Sequence, residues 1–86
     1  MPTPRRTPKV KVVERKLGRE GALGQYFQGT GLIEIDPRQK AKEYLDTLIH
    51  ELLHMYYPDE SEENICEVAT SIAKEVWKRN FRRISP

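Results

Sequence analysis

Two histidines four residues apart stand in the segment His50-Glu51-Leu52-Leu53-His54, an HExxH motif. On a helix, residues four apart lie on one face about one turn apart, so both imidazoles could bind one zinc ion. Glu51 directly follows the first histidine, where it is placed to take a proton from a zinc-bound water. The chain has two histidines and ten glutamates, and random placement would give this motif in roughly 1 of 400 such chains. The alternative is a pair of surface histidines on an amphipathic helix.

The motif must be positioned by helices, and the apolar pattern predicts two of them. Apolar residues recur at helical spacing from about Arg38 to Tyr56, and at 100° per residue the histidines lie about 140–180° from Leu45 on that stripe. A second helix is expected from an N-cap at Ser61 to about Asn80. Its predicted inner side is formed by Ile65, Val68, Ala69, Ile72, Ala73, Val76 and Trp77. The short link Tyr57-Pro58-Asp59 predicts an antiparallel helix pair.

Before these helices, the pattern favours short strands. Strands are expected over residues 9–17, 23–27 and 32–36, with the turn QGTG at 28–31. In the third strand Ile33 and Ile35 share one face, while Glu34 and Asp36 are expected to point away. The predicted fold is therefore α+β, a small antiparallel sheet of three strands packed on a helical hairpin. Residues 9–80 would form this one domain, between a disordered basic arm (1–8) and a basic tail (81–86).

Composition excludes several classes of protein. With a single cysteine, Cys66, among 86 residues, the chain has no internal disulfide. It therefore does not fit the class of small secreted domains that disulfide bonds stabilise. No apolar run approaches the ~20 residues of a membrane span, and the first residues lack the apolar core of a signal peptide. We therefore expect a cytoplasmic protein without membrane contact.

Positive charge is concentrated at the two ends of the chain. Residues 1–20 hold seven Lys and Arg against two Glu, and Lys78, Arg79, Arg82 and Arg83 lie near the other end. These ends could contact nucleic acid or an acidic partner, or they could be solubilising termini. The residues leave the oligomeric state open.

The order of motif and flanking elements resembles the zincin metallopeptidases. The strand GLIEID leads into LDTLIHELLHMYYPD and then SEENICEVATSIAKEVW, and this looks most like very small gluzincin-type metallopeptidases of phage and bacterial origin. The resemblance covers roughly residues 22–80. It implies a minimal zincin-like fold and zinc-dependent peptide hydrolysis, with His50 and His54 as ligands of Zn2+ and Glu51 as general base. It also implies that residues 32–36 form the edge of the cleft and pair with an extended peptide substrate.

The third ligand is expected to be an acid, as in gluzincins, because the chain has no third histidine. Measured from Ile65 at 100° per residue, Glu62 lies at about 60°, on the side that meets the first helix. Glu63 lies near 160° and Glu67 near 200°, toward solvent. Asp59 and Glu60 are more easily explained as residues of the turn. We predict Glu62 as the ligand, with Glu63 second and Glu67 third.

Other residues with reactive or polar side chains have less defined predicted roles. Cys66 could be a nucleophile, but in the middle of a helix beside an apolar face a small packing residue is the expectation. Tyr57 could donate a hydrogen bond from its hydroxyl to a reaction intermediate. Tyr56 is expected to be a core residue. Asp46 could accept a hydrogen bond from an imidazole N–H or be a solvated acid. Trp77 is expected to anchor the helix pair.

A function from a different class fits the same residues. In a zinc-stabilised binding module without hydrolytic activity, the metal would supply folding energy to a small core. The basic termini would then contact a protein or nucleic-acid partner. Glu51 favours the peptidase, since a purely structural site needs the histidines but not that glutamate.

Overall fold

The computed structural model describes residues 9–84. Its elements are β1 (Lys11–Glu14), a short 3-10 turn (Gly18–Glu20), β2 (Gly24–Phe27), β3 (Leu32–Ile35), α1 (Ala41–Tyr56) and α2 (Glu62–Lys78). The predicted α+β class, with three strands and a helical hairpin, is confirmed. The predicted arm at 1–8 and the last two residues of the predicted tail lie outside the described residues. Neither α1 nor α2 has the length and apolar character that a membrane span requires.

The sheet is mixed, with the strand order β1-β3-β2. β2 and β3 form the expected antiparallel hairpin, whose turn uses Gly29 and Gly31 at positive φ. β1 pairs with β3 in parallel, Val12 beside Ile33, so the prediction of an all-antiparallel sheet is wrong for this pair. The chain reverses once between β1 and β2 and again in the hairpin. β3 therefore returns in the direction of β1 and lies between the other two strands.

β3 is the central strand, which corrects the expected role of residues 32–36. Its backbone pairs with β1 on one side and with β2 on the other. A substrate peptide can add only to an edge strand with unpaired N–H and C=O groups. Residues 32–36 therefore cannot form the edge that pairs with substrate, and the edges of this sheet are β1 and β2.

The core lies on both sides of α1, which packs against the sheet and against α2. Ile33 and Ile35 of β3 are fully buried, as predicted, and they share the interior with Met55 of α1 and with Leu17. α2 contributes Ile65, Ala69 and Ala73. The two helices pack along their lengths and α1 also contacts β2 and β3, so the HExxH helix is held on two sides.

α1 begins at Ala41 rather than near Arg38, because the preceding residues form a turn around Asp36. The Asp36 carboxylate accepts hydrogen bonds from the backbone N–H of Leu17 at 2.9 Å and of Arg38 at 3.0 Å. It also accepts two from the Arg38 guanidinium, at 2.9 and 2.6 Å. Only 4% of Asp36 is exposed, so it is a buried carboxylate that is held by hydrogen bonds. The strand ends at Ile35, and the alternation of faces ends with it.

Asp36→Asn is expected to lower the melting temperature at pH 7 by about 5–10 °C, since an amide cannot accept all four bonds. The bonds from Arg38 and Leu17 hold the pKa of Asp36 well below its usual range. The stabilisation is thus complete above the unfolded value of about 3.9 and is lost as the pH falls toward the folded value. Thermal melts from pH 7 to pH 2 should show a steeper loss of stability for the parent than for Asp36→Asn. Glu43→Gln, which changes an exposed carboxylate, is the control, and equal melting of the two variants at every pH would contradict this role.

The described part of the basic tail folds back on the domain. The Arg82 guanidinium lies 3.5 Å from the centroid of the Trp77 ring. Arg83 forms an ion pair with Glu14 of β1. Trp77, expected to anchor the helix pair, is half-buried. These two arginines are therefore engaged within the domain.

Candidate metal centre

α1 brings the two predicted histidine ligands together. His50 Nε2 and His54 Nε2 are 3.1 Å apart, and the ring centroids are 4.8 Å apart with the ring planes at 65°. Their side chains are 18% and 25% exposed, respectively. Both imidazoles are thus partly exposed, while the helix fixes their spacing through its turn of 3.6 residues.

α2 supplies a carboxylate from its first turn. As predicted, Ser61 is the N-cap, and its hydroxyl accepts a hydrogen bond from the Asn64 backbone N–H at 3.1 Å. The helix then begins at Glu62. Glu62 Oε1 lies 2.8 Å from His50 Nε2, and Oε2 lies 2.7 Å from His54 Nε2. The carboxylate therefore spans both imidazoles.

His50, His54 and Glu62 form a group that could hold a metal ion. Their ligand atoms all lie within 4.8 Å of one another. A tetrahedral zinc ion with bonds of about 2.0–2.1 Å would place ligand atoms about 3.3 Å apart. The closest separations here, 2.7 to 3.1 Å, need only a small expansion. Two imidazole nitrogens and one carboxylate also match the ligand set of catalytic zinc sites, which keep a fourth position open.

The structure separates Glu62 from the other acidic candidates. Within residues 9–84, the metal-binding group contains Glu62 and neither Glu63 nor Glu67, which are exposed on α2. Glu60 accepts a hydrogen bond from the Asn64 side chain at 2.7 Å. Asp59 lies in the turn between the helices. Glu62 is the candidate whose carboxylate reaches both histidines.

Glu51 lies on the side of α1 that faces the edge strand β2. A methyl group at Gly24 would be 2.5 Å from Thr47 Cγ2 and 3.4 Å from Glu51 Cγ. Position 24 therefore has to be glycine for β2 to approach the helix this closely. Glu51 lies within this contact and is largely shielded from solvent.

The two carboxylates of the site are in different electrostatic environments. Burial raises the pKa of the Glu51 carboxyl; the charge of His54 lowers it and that of Glu62 raises it further. Desolvation also opposes ionisation of Glu62, but His50, His54 and the hydrogen bond from Cys66 together outweigh it, so the pKa of Glu62 lies below its usual value. The lowered pKa of Glu62 suits a metal ligand, which must be ionised. The raised pKa of Glu51 suits a group that accepts and returns a proton.

Cys66 lies beside the metal-binding group, so the expectation of a packing residue is wrong. Its side chain is exposed, with Sγ 3.6 Å from Glu62 Oε1 and 3.9 Å from His50 Nδ1. This position could be predicted from the sequence, because Cys66 follows Glu62 by four residues and lies on the same helix face. Desolvation raises the pKa of the Cys66 thiol, and its hydrogen bond to Glu62 raises it further.

The remaining candidates lie outside the metal-binding group. Asp46 accepts a hydrogen bond from Thr70 Oγ1 at 3.2 Å, which links α1 to α2. Tyr57 caps α1, and its backbone N–H donates to the Leu53 carbonyl at 2.8 Å. Tyr56 is partly buried in the last turn of α1.

The chain matches no family model, no curated protein and no solved structure. The resemblance to zincins therefore rests on the HExxH motif and on the order of the elements around it.

Proposed function

We propose that this protein is a zinc-dependent metallopeptidase. The observation that carries the proposal is the approach of Glu62, from the helix after the motif, to within 2.8 Å of both motif histidines. A surface histidine pair would not require such a partner. The neighbouring Glu51 is held against β2, and burial raises the pKa of its carboxyl, the direction that favours a general base.

In this mechanism His50, His54 and Glu62 would hold the ion. Bound zinc would polarise the peptide carbonyl and lower the pKa of the attacking water. Glu51 would accept a proton from that water and return it to the leaving amine nitrogen. Shielding of Glu51 by β2 and Thr47 would keep bulk water from competing for the proton.

β2 replaces β3 as the proposed substrate edge. The Leu23 carbonyl accepts a hydrogen bond from the Asp36 N–H at 2.9 Å, so these two residues form a hydrogen-bonded pair. In an antiparallel ladder such pairs alternate with pairs whose backbone groups point outward. With Gly24 opposite Ile35 and Tyr26 opposite Ile33, Gly24 and Tyr26 present their N–H and C=O groups to the open edge. An extended peptide could pair there, next to Glu51.

Tyr26→Pro is expected to reduce kcat/KM for extended peptides by about 5–10-fold relative to Tyr26→Ala. Both variants lose the aromatic side chain, but the proline also loses the outward N–H, and an edge strand tolerates it. Steady-state kinetics and thermal melts of the two variants separate pairing from folding. Equal kcat/KM values would remove β2 from the proposal. A proline at Glu34 is not an equivalent test, because that residue lies in the central strand.

The direct test of the proposal is chelator-reversible peptidase activity. The purified chain would be stripped of metal, reloaded with zinc, and incubated with a mixture of unstructured peptides analysed by mass spectrometry. We expect cleavage by the zinc-loaded protein and none by the stripped protein. A loaded protein that binds zinc and cleaves nothing would contradict the peptidase.

The second candidate is a zinc-stabilised binding module. The exposure of Glu62, 64% of its side chain, favours it, because an open site offers few walls for a substrate. In this candidate, the termini of the chain would contact a protein or nucleic-acid partner through their lysines and arginines. This candidate is favoured if the loaded protein binds zinc without hydrolysis.

Zinc removal should lower the melting temperature under either candidate, because the ion would join α1 to α2. At a free zinc concentration of 100 Kd the stabilisation is about 2.7 kcal/mol. This corresponds to roughly 10–20 °C for a domain of this size. Thermal melts with zinc and with chelator measure the difference. An unchanged melting temperature after verified metal removal would argue against a site that bridges the helices.

A further inference from the structure

Cys66 touches two of the three residues of the metal-binding group. It lies one turn after Glu62 on the same face of α2, and its S–H donates to Glu62 Oε1 at 3.6 Å. Sγ also lies 3.9 Å from Nδ1 of His50, whose other ring nitrogen, Nε2, is the one 2.8 Å from Glu62. The thiol therefore contacts a carboxylate of α2 and an imidazole of α1 at the same time.

Glu62 needs a partner to hold it in place. Its side chain is 64% exposed and has several freely rotating bonds, and fixing such a side chain costs conformational entropy. A partner would also orient the His50 imidazole, because a ligating histidine is usually oriented through its second ring nitrogen. Asp46, the acid one turn before His50, is bonded to Thr70 instead. Cys66, which is not itself one of the three ligand candidates, contacts both Glu62 and His50.

We propose that Cys66 is a positioning residue of the metal centre, whose thiol orients the Glu62 carboxylate and the His50 imidazole toward the ion. The inference rests on the proposed zinc site. Partners of this kind typically contribute 10–100-fold to metal affinity. Cys66 itself remains outside the ligand set, because the ligand atoms that lie within 4.8 Å of one another are those of His50, His54 and Glu62.

The test compares Cys66→Ala, Cys66→Ser and Ser71→Ala in the full chain. Cys66→Ala removes the hydrogen-bond donor, Cys66→Ser keeps one, and Ser71→Ala removes a small polar group from an exposed position of α2 outside the site. Zinc affinity would be measured by competition with a chromophoric chelator. We expect a loss of about 10–100-fold for Cys66→Ala, a loss below about threefold for Cys66→Ser, and no change for Ser71→Ala.

Cobalt substitution supplies a readout that general destabilisation would not alter. We expect the visible bands of the bound cobalt to change in Cys66→Ala and to be retained in Cys66→Ser. A thiolate-to-cobalt charge-transfer band in the parent would show that Cys66 is a ligand and would overturn the positioning role. So would a Cys66→Ala variant that binds zinc as tightly as the parent.

The outcomes also separate this inference from the proposed function. If the parent binds zinc and only the Cys66 variants fail to behave as expected, the inference fails and the metal site stands. If the parent binds zinc but cleaves no peptide, the peptidase fails while the role of Cys66 is still decided by the affinities. A parent that binds no zinc would overturn both.

Discussion

Glu51→Gln is expected to abolish peptide hydrolysis while zinc affinity stays within about threefold of the parent. The amide has nearly the shape of the carboxylate, so the close contact among Gly24, Thr47 and Glu51 should persist. It cannot accept a proton from water, and loss of a positioned general base typically costs 10²–10⁴-fold in rate. Zinc titration and kcat measured on the same loaded sample would give both quantities.

Glu43→Gln is the matched control for this prediction. It makes the same chemical change on the same helix, at an exposed position in the first turn, and should leave kcat unchanged. If Glu51→Gln kept half of the parent activity, another group would have to accept the proton. If it lost zinc as well as activity, Glu51 would belong to the binding of the ion.

That His50, His54 and Glu62 lie together was more predictable from the sequence than the strand order was, and the reason is physical. Within one helix, the spacing of His50 and His54 fixes their geometry through local backbone bonds. The helical angle of Glu62 relative to Ile65 likewise placed it on the side of α2 that faces α1. A short link between two helices leaves few ways to arrange them.

Strand order is not encoded in the same local way. The alternation of Ile33 and Ile35 with polar residues identifies the buried face of β3, but it carries no information about which strands lie beside it. The pairing of β1 with β3 joins residues 21 positions apart, such as Lys11 and Leu32. The pattern therefore predicts the strand β3 but not its central place in the sheet.

Asp36 and Cys66 show a second limit of local pattern. Asp36 continues the alternation of β3 in the sequence, yet it lies in the turn that follows and accepts bonds from Leu17, far away along the chain. The expectation of a packing role for Cys66 follows from its place beside the apolar face of the helix, whereas its spacing from Glu62 determines which residues it contacts. Both residues gain their roles from contacts between elements.

Glu62→Ala is expected to weaken zinc binding by more than about 100-fold, a larger loss than changes around a metal site usually cause. The reason is geometric: the two carboxylate oxygens lie 2.8 and 2.7 Å from the histidine nitrogens. Without them the protein would offer two ligands, where catalytic zinc sites have three. Chelator competition measures the affinity, and circular dichroism at saturating zinc checks that α2 is retained.

Glu63→Ala and Glu67→Ala are the matched controls for Glu62→Ala. Both remove the same side chain from an exposed position of α2, and both should bind zinc within about threefold of the parent. Glu63 lies in the same first turn as Glu62, so it also controls for the loss of a carboxylate near the positive end of the helix dipole. If Glu62→Ala bound zinc as tightly as the parent while Glu63→Ala or Glu67→Ala did not, the ion would be held by a different face of α2. That result would also remove the part of the Cys66 role that acts through Glu62, because the thiol donates its hydrogen bond to that carboxylate.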